Sequence, residues 1–211
     1  NWNNGRLPSI YQGTLVRPRE PRILNLDPPK HLRGEAQREQ LEFLHEFNQA
    51  HLRRHPGESD LEARIASYGL AARMQNAARE AFDISSESRA TQELYGIHEK
   101  HTRDYGTRCL IARRLVERGV RFVQVLCNGQ SWDHHGDIRT ALPARCREID
   151  RPAAALVRDL KDRGLLDSTI VHWGGEMGRL PVIQFRKGLG ARANIGRDHN
   201  TYGFSMWVAG G

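Results

Sequence analysis

The sequence predicts an α/β fold with a mainly parallel sheet, preceded by a helix-rich N-terminal half. Two observations carry that expectation. Apolar residues recur at helical spacing through residues 35–118, and three short, continuous apolar runs follow at 120–127, 168–173 and 202–211, with a helical stretch between the first two. Runs that are apolar throughout suit parallel strands covered by helices on both faces. A chain of 211 residues, 38% of them hydrophobic, can bury one sizeable core.

Each element has its own local signal. Residues 1–34, rich in Pro, Gly and Asn ("RPREPRILNLDPPKHLRG"), read as an extended arm or surface loop. Leu41, Leu44, Phe47 and Leu52 repeat along one helix face, so residues 35–54 should form a helix. After "HPGESD", where Ser59 or Asp60 can cap, Leu61, Ile65, Tyr68, Ala72 and Met74 mark a second. "SSESRATQELYG" opens on cap-like serines and predicts a short helix ending at Gly96; residues 102–118 predict another, stopped by Gly119. "VRFVQVLC" (120–127), β-branched and aromatic after a glycine, is the first expected strand. "ALPARCREIDRPAAALVRDLKDRGLL" reads as helical, with Pro152 as a point of breakage and Gly164 as its end. "STIVHW" (168–173) and "YGFSMWVAGG" (202–211) complete the expected strands. The chain divides accordingly into an arm (1–34), a helical segment (35–119) and an α/β half (120–211) of one domain.

Charge narrows the classes of function. The formal net charge is +7 and the pI about 9.8, values that by themselves suit nucleic acid. The distribution does not. Arg64, Arg73 and Arg79 alternate with Glu58, Glu62 and Glu80, and the pairs Arg53–Arg54 and Arg113–Arg114 lie beside Glu in helical patterns, which reads as solvated helix faces. Such a surface equally attracts an anionic small molecule or a polyanion, and no nucleic-acid partner is expected. No run approaches the ~18 apolar residues of a membrane span, and no targeting segment is read in the chain. Cys109, Cys127 and Cys146 contain no CxxC pair, and their odd number argues against a complete disulfide framework.

Three polar clusters stand against the apolar runs. The run at 120–127 leads into "NGQSWDHHGD", with Asp133, His134, His135 and Asp137; the run at 168–173 leads into "GGEMGR", with Glu176 and Arg179; and "GRDHN" precedes the last run. Two of the three lie just past a strand's carboxyl end, where open α/β sheets build their sites. Asp, Glu and His together are the ligand set of zinc, manganese or iron. Asp133 and His135, one residue apart, share a side of an extended segment and can chelate one ion. His199 would supply a third ligand, and Glu176 could bind the same ion or bridge to a second. Asp198 is a candidate partner holding an imidazole in the right tautomer, and Arg197 and Asn200 are left to face a substrate's anionic oxygens. Arg179 is a further candidate for the anion, or else a partner for Glu176.

The stretches "FVQVLCNGQSWDHHGD", "STIVHWGGEMGR" and "GRDHNTYGFSMWVAGG", with "LPSIYQGT", "ILNL" and "DLEARIASYGLAARMQ" before them, resemble a bacterial sulfatase-like family, domain-of-unknown-function family 1501, of the alkaline phosphatase superfamily. The resemblance covers nearly the whole chain. It implies an alkaline-phosphatase-like α/β/α sandwich and a mono- or dinuclear centre acting on phosphate or sulfate esters. Asp133 and His135 match the family's Trp-Asp-x-His and look like ligands of one metal, with His134 at a variable position beside them. His199 resembles the late His that completes that site. Glu176 stands where other superfamily members have an Asp-His pair, and Met177 replaces that His. The cofactor implied is a divalent metal, zinc first, with manganese, iron or calcium as alternatives. The early Asp ligand and the Ser, Thr or modified Cys nucleophile of the superfamily are expected upstream, with the chain read as the C-terminal part of a longer protein. Many members of the family are exported through the twin-arginine route, so a periplasmic or exported location is implied.

The expectation is therefore a metal-dependent hydrolase of sulfate or phosphate esters, taking an anionic small-molecule or polysaccharide ester. The alternative is a non-enzymatic binding or scaffolding relative that presents its basic surface to a polyanion or polysaccharide.

Overall fold

The structure, a computed structural model, describes residues 6–7, 11–24, 26–127, 129–185 and 195–211; of residues 59, 71–77 and 185 it describes the backbone alone. Ala72 and Met74, expected on a core face, thus have side chains outside the described residues. The chain forms two compact units, Asn1–Asp83 and Ile84–Gly211.

The first unit is built on two helices, α1 (Glu35–Arg54) and α2 (Ser59–Phe82). Gly34 precedes α1 with φ of 73°, a left-handed conformation suited to glycine. Glu58, not Ser59 or Asp60, occupies the position before the first turn of α2. The segment before α1 contains a 3-10 turn, Lys30–Leu32, and Asp27 in that segment pairs with Arg79 of α2.

The second unit holds the core. Its helices are α3 (Arg89–Leu94), α4 (Arg103–Glu117) and α5 (Ile138–Asp162). Ser88 caps α3 by accepting a hydrogen bond from the Thr91 amide at 3.1 Å. All three helices stop the same way. Gly96, Gly119 and Gly164 take positive φ, and their amides and those of the next residues turn back to the last carbonyls, as in Val120 N–H to Leu115 O at 3.0 Å. Pro152 does not break α5, which continues through it to Asp162, and it is fully buried. Tyr95, Ile97, Cys109, Leu110 and Ala155 form the buried apolar cluster. Gly106 lets α4 approach closely, because a Cβ there would lie 2.2 Å from the Tyr95 carbonyl oxygen. Burial pushes the Cys109 thiol up to about 12, so it packs as a small apolar group.

An ionic cage sits within this core, and it corrects the expectation that Arg113 and Arg114 lie on a solvated helix face. Arg113 is 1% exposed. Its guanidinium meets Glu87 at 2.7 Å, Asp159 at 2.9 Å and Glu117 at 2.6 Å. Arg114 also pairs with Glu87, and Arg163 reaches Asp159 at 2.8 Å and Glu117 at 3.0 Å. Tyr95 donates its hydroxyl to Asp159 at 3.0 Å.

The parallel α/β sandwich is overturned. Helix makes up 50% of the chain, and the sheets are short, two-stranded and antiparallel. Among the described residues the strands are β1 (Val171–Gly174), β2 (Gly178–Arg179), β3 (Gln184–Phe185), β4 (Ile195–Gly196), β5 (His199–Asn200) and β6 (Met206–Ala209). They pair as β1 with β6, β2 with β5 and β3 with β4, so the described segments 171–185 and 195–209 run against each other as the two arms of one interrupted hairpin. A parallel pair needs a crossover that packs back on the sheet, usually a helix. No helix lies in this return path among the described residues, so the last apolar run comes back antiparallel to the one at 168–173. Trp173 and Trp207 face each other across β1 and β6, stacked 6.2 Å apart.

Residues 120–127 form no strand. Val123, Val125 and Cys127 turn inward and Phe122, Gln124 and Leu126 outward, as in a strand, but the segment has no ladder partner among the described residues. Its β propensity is a statement about packing: Val125 joins the apolar cluster, while Phe122 stays 83% exposed. No helix among the described residues is long and apolar enough to cross a membrane.

Candidate metal centre

The interrupted hairpin brings the polar clusters together by register, not at the end of a parallel sheet. Arg179 on β2 lies directly opposite His199 on β5, and Glu176 occupies the bend between β1 and β2. The loop carrying Asp133 and His135 lies against the hairpin. Arg197 N–H donates to the His134 carbonyl at 3.0 Å, and Leu180 N–H donates to the Asp198 carbonyl at 2.8 Å. Gly196 makes the approach possible: a Cβ there would lie 2.1 Å from the His135 carbonyl carbon and 2.4 Å from the Gly136 nitrogen.

Asp133 Oδ1 lies 3.0 Å from His135 Nε2 and 3.4 Å from His199 Nε2. The three residues offer ligand atoms within 4.8 Å of one another, and this is the group among the described residues close enough to hold an ion. The fit can be tested by geometry. Bonds of ~2.1 Å in a tetrahedral site leave ligand atoms about 3.4 Å apart, close to both spacings from Asp133. His135 Nδ1 meets Gln184 Oε1 at 2.8 Å, which fixes the orientation of that ring with Nε2 toward Asp133. The His135 and His199 rings meet edge to face, 4.8 Å between centroids.

The neighbouring residues separate into distinct roles. Glu176 Oε1 touches His199 Nε2 at 3.0 Å and stands at the solvent rim, 65% exposed. Asp198 Oδ1 accepts the His199 amide at 2.8 Å and lies 3.5 Å from His199 Nδ1. His134 is buried beneath the site with its ring edge toward Trp132, and its Nε2 has no partner among the described residues. Burial, with Arg179 and Arg145 nearby, holds its pKa below the ordinary value.

Arg179 does not pair with Glu176. Its Nη2 lies 2.5 Å from Asp133 Oδ1 and its Nη1 3.5 Å from His135 Nε2, with further bonds from Nη1 to the Arg197 carbonyl at 3.0 Å and from Nη2 to the Trp132 carbonyl at 3.4 Å. The guanidinium's hydrogen bond, with the charges of His135, Arg179 and His199, holds the Asp133 carboxyl below the usual carboxylate range.

The whole chain, residues 1–211, matches the family described as "Protein of unknown function (DUF1501)". The chain belongs to this family. Comparison with curated proteins and with solved structures gives no match.

Asn200 and Arg197 of this DUF1501 chain, the candidates for facing a substrate anion, make the following contacts. Asn200 Oδ1 accepts the Tyr202 amide at 3.1 Å, so its side chain closes a turn. Arg197 joins the site through its backbone, while its side chain is exposed. Gln184, the residue that orients His135, carries no sequence signal of its own, since an amide in "PVIQF" belongs to no ligand pattern.

Gly196→Ala should therefore damage the centre without removing a ligand. The added methyl forces the Asp133–His135 loop away from β4, and the expected result is a fall in zinc affinity of about 10–100-fold, the range seen when supporting contacts are lost. Zinc titration of the folded variant checks this; wild-type affinity would show that the loop position is immaterial.

Proposed function

We propose that this DUF1501 chain carries the metal site of a hydrolase acting on sulfate or phosphate esters, in the manner of sulfatase-like members of the alkaline phosphatase superfamily. The observation that supports the reading most is the convergence of Asp133, His135 and His199, with ligand atoms within 4.8 Å of one another, a carboxylate and an imidazole from one loop and a second imidazole from β5. That donor set suits zinc ahead of calcium, which prefers six or more oxygens. When bound, the ion supplies Lewis-acid polarisation of an ester oxygen and a more acidic water.

The chain's own residues do the positioning. Gln184 holds the His135 ring, and the bond from the His199 amide to the Asp198 carboxylate holds the segment that presents His199. Glu176, 3.0 Å from His199 Nε2 and open to solvent, is set to complete the coordination from the substrate side. The net charge of +7 draws an anionic ester toward the molecule.

Zinc-loaded protein should release nitrophenol from 4-nitrophenyl phosphate or 4-nitrophenyl sulfate, and chelation should abolish that release. Asp133→Asn should lower the rate on the order of 10²-fold, because the ion loses its one charged ligand of the three. Stoichiometric zinc with no turnover of either ester would contradict the hydrolase reading and favour a binding relative.

A further inference from the structure

The site already contains a cation. Arg179 Nη2 lies 2.5 Å from Asp133 Oδ1, the carboxylate oxygen that converges with both imidazoles, and its Nη1 lies 3.5 Å from His135 Nε2. A carboxylate held in this cluster, with its Oδ1 also 3.0 Å from His135 Nε2, is stabilised by a charged donor at hydrogen-bond distance. The donor here is a guanidinium, one fifth exposed, reaching in from β2.

We propose that Arg179 is the built-in counter-cation of Asp133 and gives way to a divalent ion on loading. The inference rests on the metal reading of the same cluster and adds how the site is kept in shape and regulated. Arg179 and the ion need the same two acceptors, so their occupancies oppose each other. A guanidinium hydrogen bond has a preferred distance of about 2.8 Å and cannot match the ~2.0–2.2 Å of a zinc–carboxylate bond, so Asp133 Oδ1 does not serve both at full strength. The Nη1 bond to the Arg197 carbonyl, 3.0 Å, does not involve a ligand atom and can persist as the pivot while Nη2 leaves Asp133. Arg179 thus costs metal affinity while keeping Asp133 and His135 close before the ion arrives.

Zinc affinity measured in a zinc-buffered titration, on wild-type protein, Arg179→Gln and Arg179→Lys, tests this directly. Arg179→Gln should bind zinc more tightly than wild type, by on the order of tenfold, since a competing full charge at hydrogen-bond distance is removed. Arg179→Lys, which keeps the charge, should stay near wild type. Far-UV circular dichroism reports whether each variant is folded. A merely structural arginine predicts the opposite sign, because losing its bonds to the Trp132 and Arg197 carbonyls would loosen the loop and weaken zinc in Arg179→Gln. Equal or weaker binding by Arg179→Gln, with zinc bound by wild type, overturns this inference and leaves the metal reading intact. No zinc bound by any of the three proteins overturns the metal reading, and the inference with it.

Discussion

Arg113→Met should destabilise the second unit by about 3–5 kcal/mol, the cost of removing one member from a buried ion group and leaving its partners uncompensated. Glu87 and Asp159 would each keep a carboxylate in a site 8% exposed, with the 2.7 Å and 2.9 Å contacts to Arg113 gone. Arg114 and Arg163 compensate in part, through Glu87 and Asp159 respectively. Adding Glu87→Gln and Asp159→Asn to Arg113→Met removes the uncompensated carboxylates and should recover part of the loss, but not all of it, because Arg114 and Arg163 then lose those partners. Urea unfolding of the three-residue variant beside Arg113→Met checks this. A loss below about 1 kcal/mol for Arg113→Met would mean that the cage is as weak as a surface pair.

The same cage sets a pH dependence. Burial raises the pKa of Glu87, but the hydrogen bonds and charges of Arg113 and Arg114 outweigh it, and the net value is below that of an ordinary glutamate. A carboxyl with a lowered folded pKa contributes stability above its unfolded value, about 4.3, and loses that contribution as pH falls through the folded value. Arg113→Met removes one lowering partner and leaves the burial, so its acid unfolding should begin at a higher pH than that of wild type.

The helices were legible in the sequence because their signals are local. Leu41, Leu44, Phe47 and Leu52 mark α1 by spacing alone, and Gly96, Gly119 and Gly164 end their helices through a conformation that glycine accepts without cost. Pairing direction is not local. Residues 120–127 alternate inward and outward as a strand does, yet a strand needs a neighbour, and nothing in "VRFVQVLC" says whether one is at hand. The buried cage was illegible for a related reason. "ARRLVER" has the composition of a wet helix face, and only the packing of Glu87 and Asp159 against α4 turns it inward. At the candidate site, Asp133, His135, Glu176 and His199 could be picked out by residue type. The partners that orient or oppose them, Gln184 and Arg179, depend on cross-strand register, which is fixed only once the hairpin forms.

The second large effect concerns the ligands themselves. His135→Ala and His199→Ala each remove one of three converging donors, and zinc affinity should fall by well over roughly 100-fold, since even supporting residues around a metal contribute about 10–100-fold. Arg197→Ala should leave zinc binding unchanged, because Arg197 supports the site through backbone groups that alanine retains. The decisive measurement is zinc content by elemental analysis after equilibrium dialysis against buffered zinc, on wild-type protein and these three variants side by side. About one equivalent in wild type and Arg197→Ala, with next to none in His135→Ala and His199→Ala, is the expected result. Zinc absent from wild type, or retained at one equivalent by both histidine variants, would contradict the assignment of Asp133, His135 and His199 as a metal centre.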